Sequence, residues 1–161
     1  MTEAIHMDNT FMARAIRLAV DNVRFGRGGP FGCVIVREGD VVSEGVNQVT
    51  ATNDPTAHAE VLAIRLACQK LRCFELKGCE LYTSCEPCPM CLSAIYWARI
   101  DKVYFGGLAD DAAQAGFDDS AIYKEIAQPL AQRKTPMIQI MREEALAAFR
   151  AWKENPGKIP Y

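Results

Sequence analysis

The sequence predicts an α/β protein: a three-layer α/β/α sandwich about a mixed sheet of about five strands, formed as a single domain over residues 1–161. Stretches with apolar residues at a 3.6-residue period alternate along the chain with short β-rich runs, the pattern of helices lying on both faces of a sheet. Two of those runs are separated only by a tight turn, which makes part of the sheet antiparallel, whereas the others are joined by helical crossovers. With 50% hydrophobic residues in 161, the chain can bury one substantial core.

Taken in order, Asp8 or Asn9 can cap a first helix in which Phe11, Met12, Ala15, Ile16, Ala19 and Val23 keep helical spacing as far as Gly26. Gly28, Gly29 and Pro30 break the chain, and 31–36 and 41–46, turned at Glu38-Gly39-Asp40, read as a hairpin. After a polar loop over 48–55, Thr56 can cap a second helix whose first turn holds His58 and Glu60. Residues 80–83 are a short strand, a helix starts near Cys88 and runs through Trp97, and 102–105 are the next strand. An acidic loop over 106–120 precedes a helix at 121–133, an extended fifth strand at 137–141 and a last helix at 143–152. Strand order is not readable from this pattern.

The formal charge is -2, with acids and bases spread along the chain, so no strong field for phosphate backbones exists and nucleic acid is a weak candidate partner. The polar start, 1–9, lacks the basic and apolar regions of a signal peptide, and no apolar run is long enough for a bilayer; a cytoplasmic protein without membrane contact is expected. Seven cysteines, an odd count, argue against a disulfide framework. Cys33, Cys68, Cys73 and Cys79 lie on apolar elements or their ends, where cysteine serves as a small hydrophobe.

The remaining cysteines fall in a pattern with chemistry. His58-Ala59-Glu60 followed by Pro87-Cys88-Pro89-Met90-Cys91 fits the signature of zinc deaminases acting on nucleobases. One imidazole and two thiolates give zinc three protein ligands and leave a fourth position for water, the arrangement of a catalytic site. Cys88 and Cys91, three apart at a helix start, share a face, and the helix dipole there favours thiolates. Bound zinc lowers the pKa of water from about 16 to about 7, and Glu60, beside the metal without ligating it, can then act as proton shuttle. The bland alternative makes His58 a core histidine, Glu60 a solvated acid and the cysteines a structural zinc clip or buried pair, that is, a non-catalytic zinc protein. Cys85 and Cys88 are also three apart and offer a second pairing, which the Pro87-Cys88 junction disfavours.

These blocks resemble the cytidine deaminase superfamily and, within it, the bacterial guanine deaminases, across nearly the whole chain. Further blocks carry the likeness: Gly28-Gly29-Pro30-Phe31-Gly32, Asn53-Asp54-Pro55-Thr56-Ala57, Thr83-Ser84-Cys85-Glu86, Tyr96-Trp97-Ala98-Arg99, Ala115-Gly116-Phe117-Asp118-Asp119-Ser120 and the terminal Tyr161. The resemblance implies a fold of the cytidine deaminase type, one Zn2+ with a catalytic water, and hydrolysis of free guanine to xanthine and ammonia. Deamination of a cytosine-type substrate or of tRNA adenosine shares the zinc blocks and is the alternative within enzymes. It further implies that Asn47 hydrogen-bonds the purine, Phe31 packs on its ring and Asp119 accepts from the ring N–H and amino group; Trp97 lines the pocket or belongs to the core. Finally it implies a homodimer in which 149–161 is exchanged, so that Tyr161 closes the partner's site. Read from the residues alone, Asn47 ends a strand, Phe31 fills core and Asp118-Asp119 cap a helix.

Overall fold

Short β-branched runs and the turn between them set the centre of the sheet. In the computed structural model, which describes residues 9–161, β1 (Gly32–Arg37) and β2 (Asp40–Val46) pair antiparallel from Gly32↔Val46 to Arg37↔Asp40, with a bulge at Ile35/Val36. On the other side of β1, β3 (Cys79–Cys85) pairs antiparallel with Cys33 opposite Thr83; β4 (Lys102–Gly107) then runs parallel to β3, with Cys85 opposite Gly107. The order β2-β1-β3-β4 makes the sheet mixed, as expected. The expected cap at Asp8 lies outside the described residues.

The sheet has four strands, which corrects the expectation of about five. Residues 137–141 join no ladder among the described residues, and Ile138 and Ile140 are 81% and 75% exposed. Alternating Met and Ile give a segment strand propensity, but a strand exists only where a neighbour supplies hydrogen bonds.

Helices cover both faces. On one side α1 (Asn9–Arg24) sets Ala15 against Val34, Val36 and Tyr82, with Phe11, Met12 and Leu18 alongside. Between β2 and β3 the chain forms α2 (Val49–Thr52), one turn inside the expected loop, and α3 (Ala59–Leu71). Ala59, Ala63 and Ala67 of α3 meet Cys33, Ile35, Cys79 and Leu81 on the second face, joined by Ile95 of α4 (Pro89–Trp97). Alternate residues of β1 thus serve opposite cores, which is the period-two rule applied to a strand buried on both sides. Fully buried Ile35, Leu76 and Leu81 each contribute about 1.5–3 kcal/mol by leaving water.

Two glycines let the helices sit this close. A Cβ on Gly32 would overlap Ala15 O and stand 2.7 Å from Ala19 N in α1, and one on Gly45 would overlap Ala59 O and stand 2.8 Å from Ala63 N in α3. Each is a notch in the sheet for a helix backbone.

After β4 comes α5 (Ala109–Gln114), in a stretch expected to be loop. The chain divides into two compact units, Met1–Asp119 and Ser120–Tyr161. The second contains α6 (Ser120–Ala127), a 3-10 turn at Leu130–Gln132 and α7 (Arg142–Glu154), none with a buried residue; its Trp152 and Tyr161 rings meet edge-on at 6.4 Å. Among the described residues no helix is long and apolar enough to cross a membrane.

Candidate active site

The strand register decides where the chemistry gathers. The end of β2, the start of β1 and the ends of β3 and β4 share one edge of the sheet, since Val46 faces Gly32, Cys33 faces Thr83 and Cys85 faces Gly107. Chain leaving β2 and β3 there soon enters α3 and α4, whose N-caps are His58 and Cys88. His58, and not Thr56 as expected, is the α3 cap, because Thr56 is drawn into a turn by Asp54, whose Oδ1 accepts from its N–H and hydroxyl at 2.8 and 2.7 Å. The His58 and Cys88 carbonyls accept the first helical bonds, from Leu62 N at 3.0 Å and Leu92 N at 2.8 Å. Pro89 suits the first turn of α4, where its missing N–H costs nothing. Neither cap residue spends its side chain on the helix, so imidazole and thiol remain available.

His58, Cys88 and Cys91 bring their donor atoms within 4.8 Å of one another. His58 Nδ1 lies 3.5 Å from the Sγ of each cysteine. A tetrahedral zinc with Zn–S of about 2.3 Å and Zn–N of about 2.0–2.1 Å requires an N···S separation of about 3.6 Å, so the residues fit zinc through Nδ1 and two sulfurs. Cys85 is outside this group, which contains Cys88 and Cys91; its Sγ faces Leu108 O at 3.6 Å.

Glu60, at the second position of α3, is 5% exposed. Thr83 Oγ1 donates to its Oε1 at 3.0 Å and Cys91 Sγ to its Oε2 at 3.3 Å. Burial pushes its carboxyl above the usual carboxylate range, against hydrogen bonds that favour the charged form. In the metal-free protein the hydrogen bond from Cys91 pulls the Cys88 thiol down to about 4, with His58 assisting, while the Cys91 thiol is pushed up.

These groups open into a cavity of ≈ 570 Å³, within the range of about 300–1,000 Å³ usual for small-molecule sites. His58, Glu60 and Cys88 line it together with Phe31, Asn47 and Asp119, so six of the nine residues singled out in the sequence meet in one place and a seventh, Cys91, adjoins through His58 and Glu60. Trp97 is 64% exposed and lines neither this cavity nor the core, and Tyr161 belongs to the second compact unit. The Asn47 Oδ1 accepts from Gly29 N and Val49 N, each at 3.3 Å, which turns its Nδ2 donor free. Asn22 braces this wall from α1, donating from Nδ2 to Asn47 O and Gly29 O at 2.8 Å each. Burial, then the Cys88 charge, raises the Asp119 carboxyl.

Sequence reading missed Phe117, whose ring stands edge-on to Phe31 at 5.0 Å and 86°, making an aromatic corner in the cavity wall. It also missed Thr83, buried behind Glu60, and Glu86, whose carboxylate accepts from Ala109 N at 3.1 Å at the start of α5. All three lie in blocks that carry the family likeness, but no local pattern gave any of them a role in the site.

Residues 5–107 match the family model described as the cytidine and deoxycytidylate deaminase zinc-binding region. The chain is 55% identical over 152 residues to guanine deaminase of Bacillus subtilis (strain 168), covering 94% of this chain and 97% of that protein. An X-ray structure of guanine deaminase from Bacillus subtilis matches with a TM-score of 0.93 at 54% identity, over 96% of this chain and 98% of that one. The tRNA-specific adenosine deaminase of Aquifex aeolicus (strain VF5) is 51% identical over 79 residues, 49% of this chain and 52% of that protein.

Proposed function

The chain belongs to the cytidine and deoxycytidylate deaminase family, and from that premise we propose that it hydrolyses free guanine to xanthine and ammonia in a zinc-dependent reaction. The observation that carries this is a cavity in which two metal donors, a buried carboxyl and an aromatic corner face the same space. The likeness to guanine deaminase runs through the whole chain, whereas that to the tRNA enzyme covers about half of it.

His58, Cys88 and Cys91 would hold the zinc, which when bound would supply the Lewis acidity that brings the pKa of water to about 7. Glu60 takes the proton from the attacking water as its oxygen adds to the amine-bearing carbon. It passes that proton to a ring nitrogen, then takes the second water proton from the added hydroxyl and delivers it to the amine as the carbon–nitrogen bond breaks, so ammonia leaves and a carbonyl remains. Thr83 holds one Glu60 oxygen, and the other, which accepts from Cys91 Sγ, would be released for this work once Cys91 ligates the metal as a thiolate. Raised affinity for the proton suits a group that must hold it between two transfers.

Phe31 offers a flat face to the base with Phe117 standing across it, Asn47 Nδ2 donates to an acceptor on the purine, and Asp119 accepts from the ring N–H and amino group. We read residues 1–161 as one functional domain in a homodimer that exchanges 149–161, with Tyr161 closing the partner's site and Trp97 lining it. Large apolar side chains with little cover in one chain, such as Phe149, Ile138 and Ile140, support that reading. Truncation after residue 148 is expected to abolish dimers by light scattering and raise KM for guanine while zinc stays bound; an unchanged dimer overturns the exchange. We assign the protein to the cytoplasm, where thiols stay reduced.

Ammonia release by zinc-loaded protein, measured across guanine, cytosine, cytidine and tRNA, tests the substrate. Guanine is expected to give the highest kcat/KM. Turnover of tRNA or a pyrimidine with guanine inert would overturn the proposal.

A further inference from the structure

The far end of α3, away from the cavity, carries a second pair of cysteines. Arg72 ends the helix in the left-handed conformation (φ 51°, ψ 40°). Cys73 N then donates to Cys68 O at 3.1 Å and Arg72 N to Gln69 O at 3.3 Å. These six-to-one and five-to-two bonds form a Schellman closure, in which the first and sixth side chains fold together. The 3.1 Å bond limits the Cα separation of Cys68 and Cys73 to at most about 7 Å, close to the upper end of the 4.4–6.8 Å that a disulfide spans.

We propose that Cys68 and Cys73 are a redox-active dithiol that closes to an intrachain disulfide by exchange with an oxidised low-molecular-weight thiol. Both are free; Cys73 is exposed and Cys68 half-buried, packed against the core that contains Cys79. Cys73 is therefore the group a reagent reaches first. Its thiolate attacks one sulfur of oxidised glutathione, forming a mixed disulfide and expelling one glutathione thiolate. The Cys68 thiolate then attacks the Cys73 sulfur, closing the ring and expelling the second. Two protein thiols lose two electrons and two protons, and one glutathione disulfide becomes two glutathiones. Burial raises the Cys68 thiol and the neighbouring Cys73 charge adds to it, consistent with Cys68 as the resolving partner. Ten helical residues at about 1.5 Å each separate Cys68 from His58, so this chemistry is independent of the deaminase site.

The test uses zinc-loaded protein, in which Cys88 and Cys91 are occupied, incubated with excess oxidised glutathione, alkylated and cut with trypsin. Cleavage after Arg65, Lys70, Arg72 and Lys77 leaves Cys68 and Cys73 on separate peptides. The expected product is residues 66–70 linked to 73–77, two hydrogens lighter than the free pair, with two fewer alkylated cysteines and unchanged turnover. Cys68→Ala is expected to arrest at the Cys73–glutathione mixed disulfide, and Cys73→Ser to leave Cys68 alkylated. A stable glutathione adduct on Cys73 of the unaltered protein, a link from either cysteine to Cys79, or no reaction would each overturn the proposal.

Discussion

Substituting Gly45 by alanine tests whether the sheet positions the catalytic carboxyl. The added methyl would overlap Ala59 O and stand 2.8 Å from Ala63 N and 3.1 Å from Ala59 C. Carbon contacts relax at about 3.5–4.0 Å, and the opposing atoms are helix backbone, so α3 must retreat by roughly 1 Å. His58 and Glu60 are the cap and second residue of that helix and move with it. A misplacement of about 1 Å is worth about a hundredfold in rate, and overpacking costs about 1–3 kcal/mol. Gly45→Ala should therefore lower kcat/KM for guanine about a hundredfold and Tm by several degrees, read by coupled ammonia release and calorimetry. Gly39→Ala is the control: its Cβ meets nothing within 4 Å, though φ is +84°. It should lose about 1–2 kcal/mol of stability and no activity. If Gly45→Ala turns over guanine at the native rate, or if Gly39→Ala loses as much activity, the close approach of β2 and α3 does not set the geometry of Glu60.

Glu60→Gln should retain zinc by metal analysis and lose about 10²–10⁴-fold in kcat; a variant that keeps its rate assigns the proton shuttle elsewhere. Cys91→Ala removes one of three donors, so zinc content should fall far below one per chain, and chelator treatment of the unaltered protein should abolish activity reversibly; full zinc occupancy in Cys91→Ala would mean that the centre is built differently. Asp119→Asn should raise KM for guanine with metal content unchanged, since an amide offers one acceptor where the carboxylate offers two; an unaltered KM removes Asp119 from the substrate contacts. Leu81→Ala, at a fully buried strand position, should cost about 2–5 kcal/mol in denaturant titration; a loss below about 1 kcal/mol would contradict the core described for β3.

What the sequence revealed and concealed follows from the range of the interactions involved. The amphipathic α1, the hairpin turned at Gly39 and the helix behind Cys88 are written in local periodicity and turn chemistry, and all three stand within a residue or two of expectation. The candidate metal donors were legible because His58-Ala59-Glu60 and Pro87-Cys88-Pro89-Met90-Cys91 match a short signature with local spacing. By contrast, the single turn of α2 is too short to have a period, and 137–141 had the composition of a strand without the neighbour that makes one. Phe117, Thr83 and the Asn22–Asn47 brace depend on residues distant in sequence, and Asn22 reads locally as a polar position on a helix until Gly29 and Asn47 are folded onto it. Trp97 followed the apolar spacing of α4 yet stands exposed, since periodicity marks a face without saying what covers it.

Because the donor triangle links the opening turns of α3 and α4, whose bodies already share one core, metal occupancy would act on local unfolding unevenly. With the ion in place, fraying of α3 and α4 is confined to their trailing turns, at Leu71 and Trp97, and those ends can loosen without disturbing the reacting groups. Withdrawal of the ion frees the leading turns instead, so the first helical hydrogen bonds to open are those that hold the catalytic carboxyl in register.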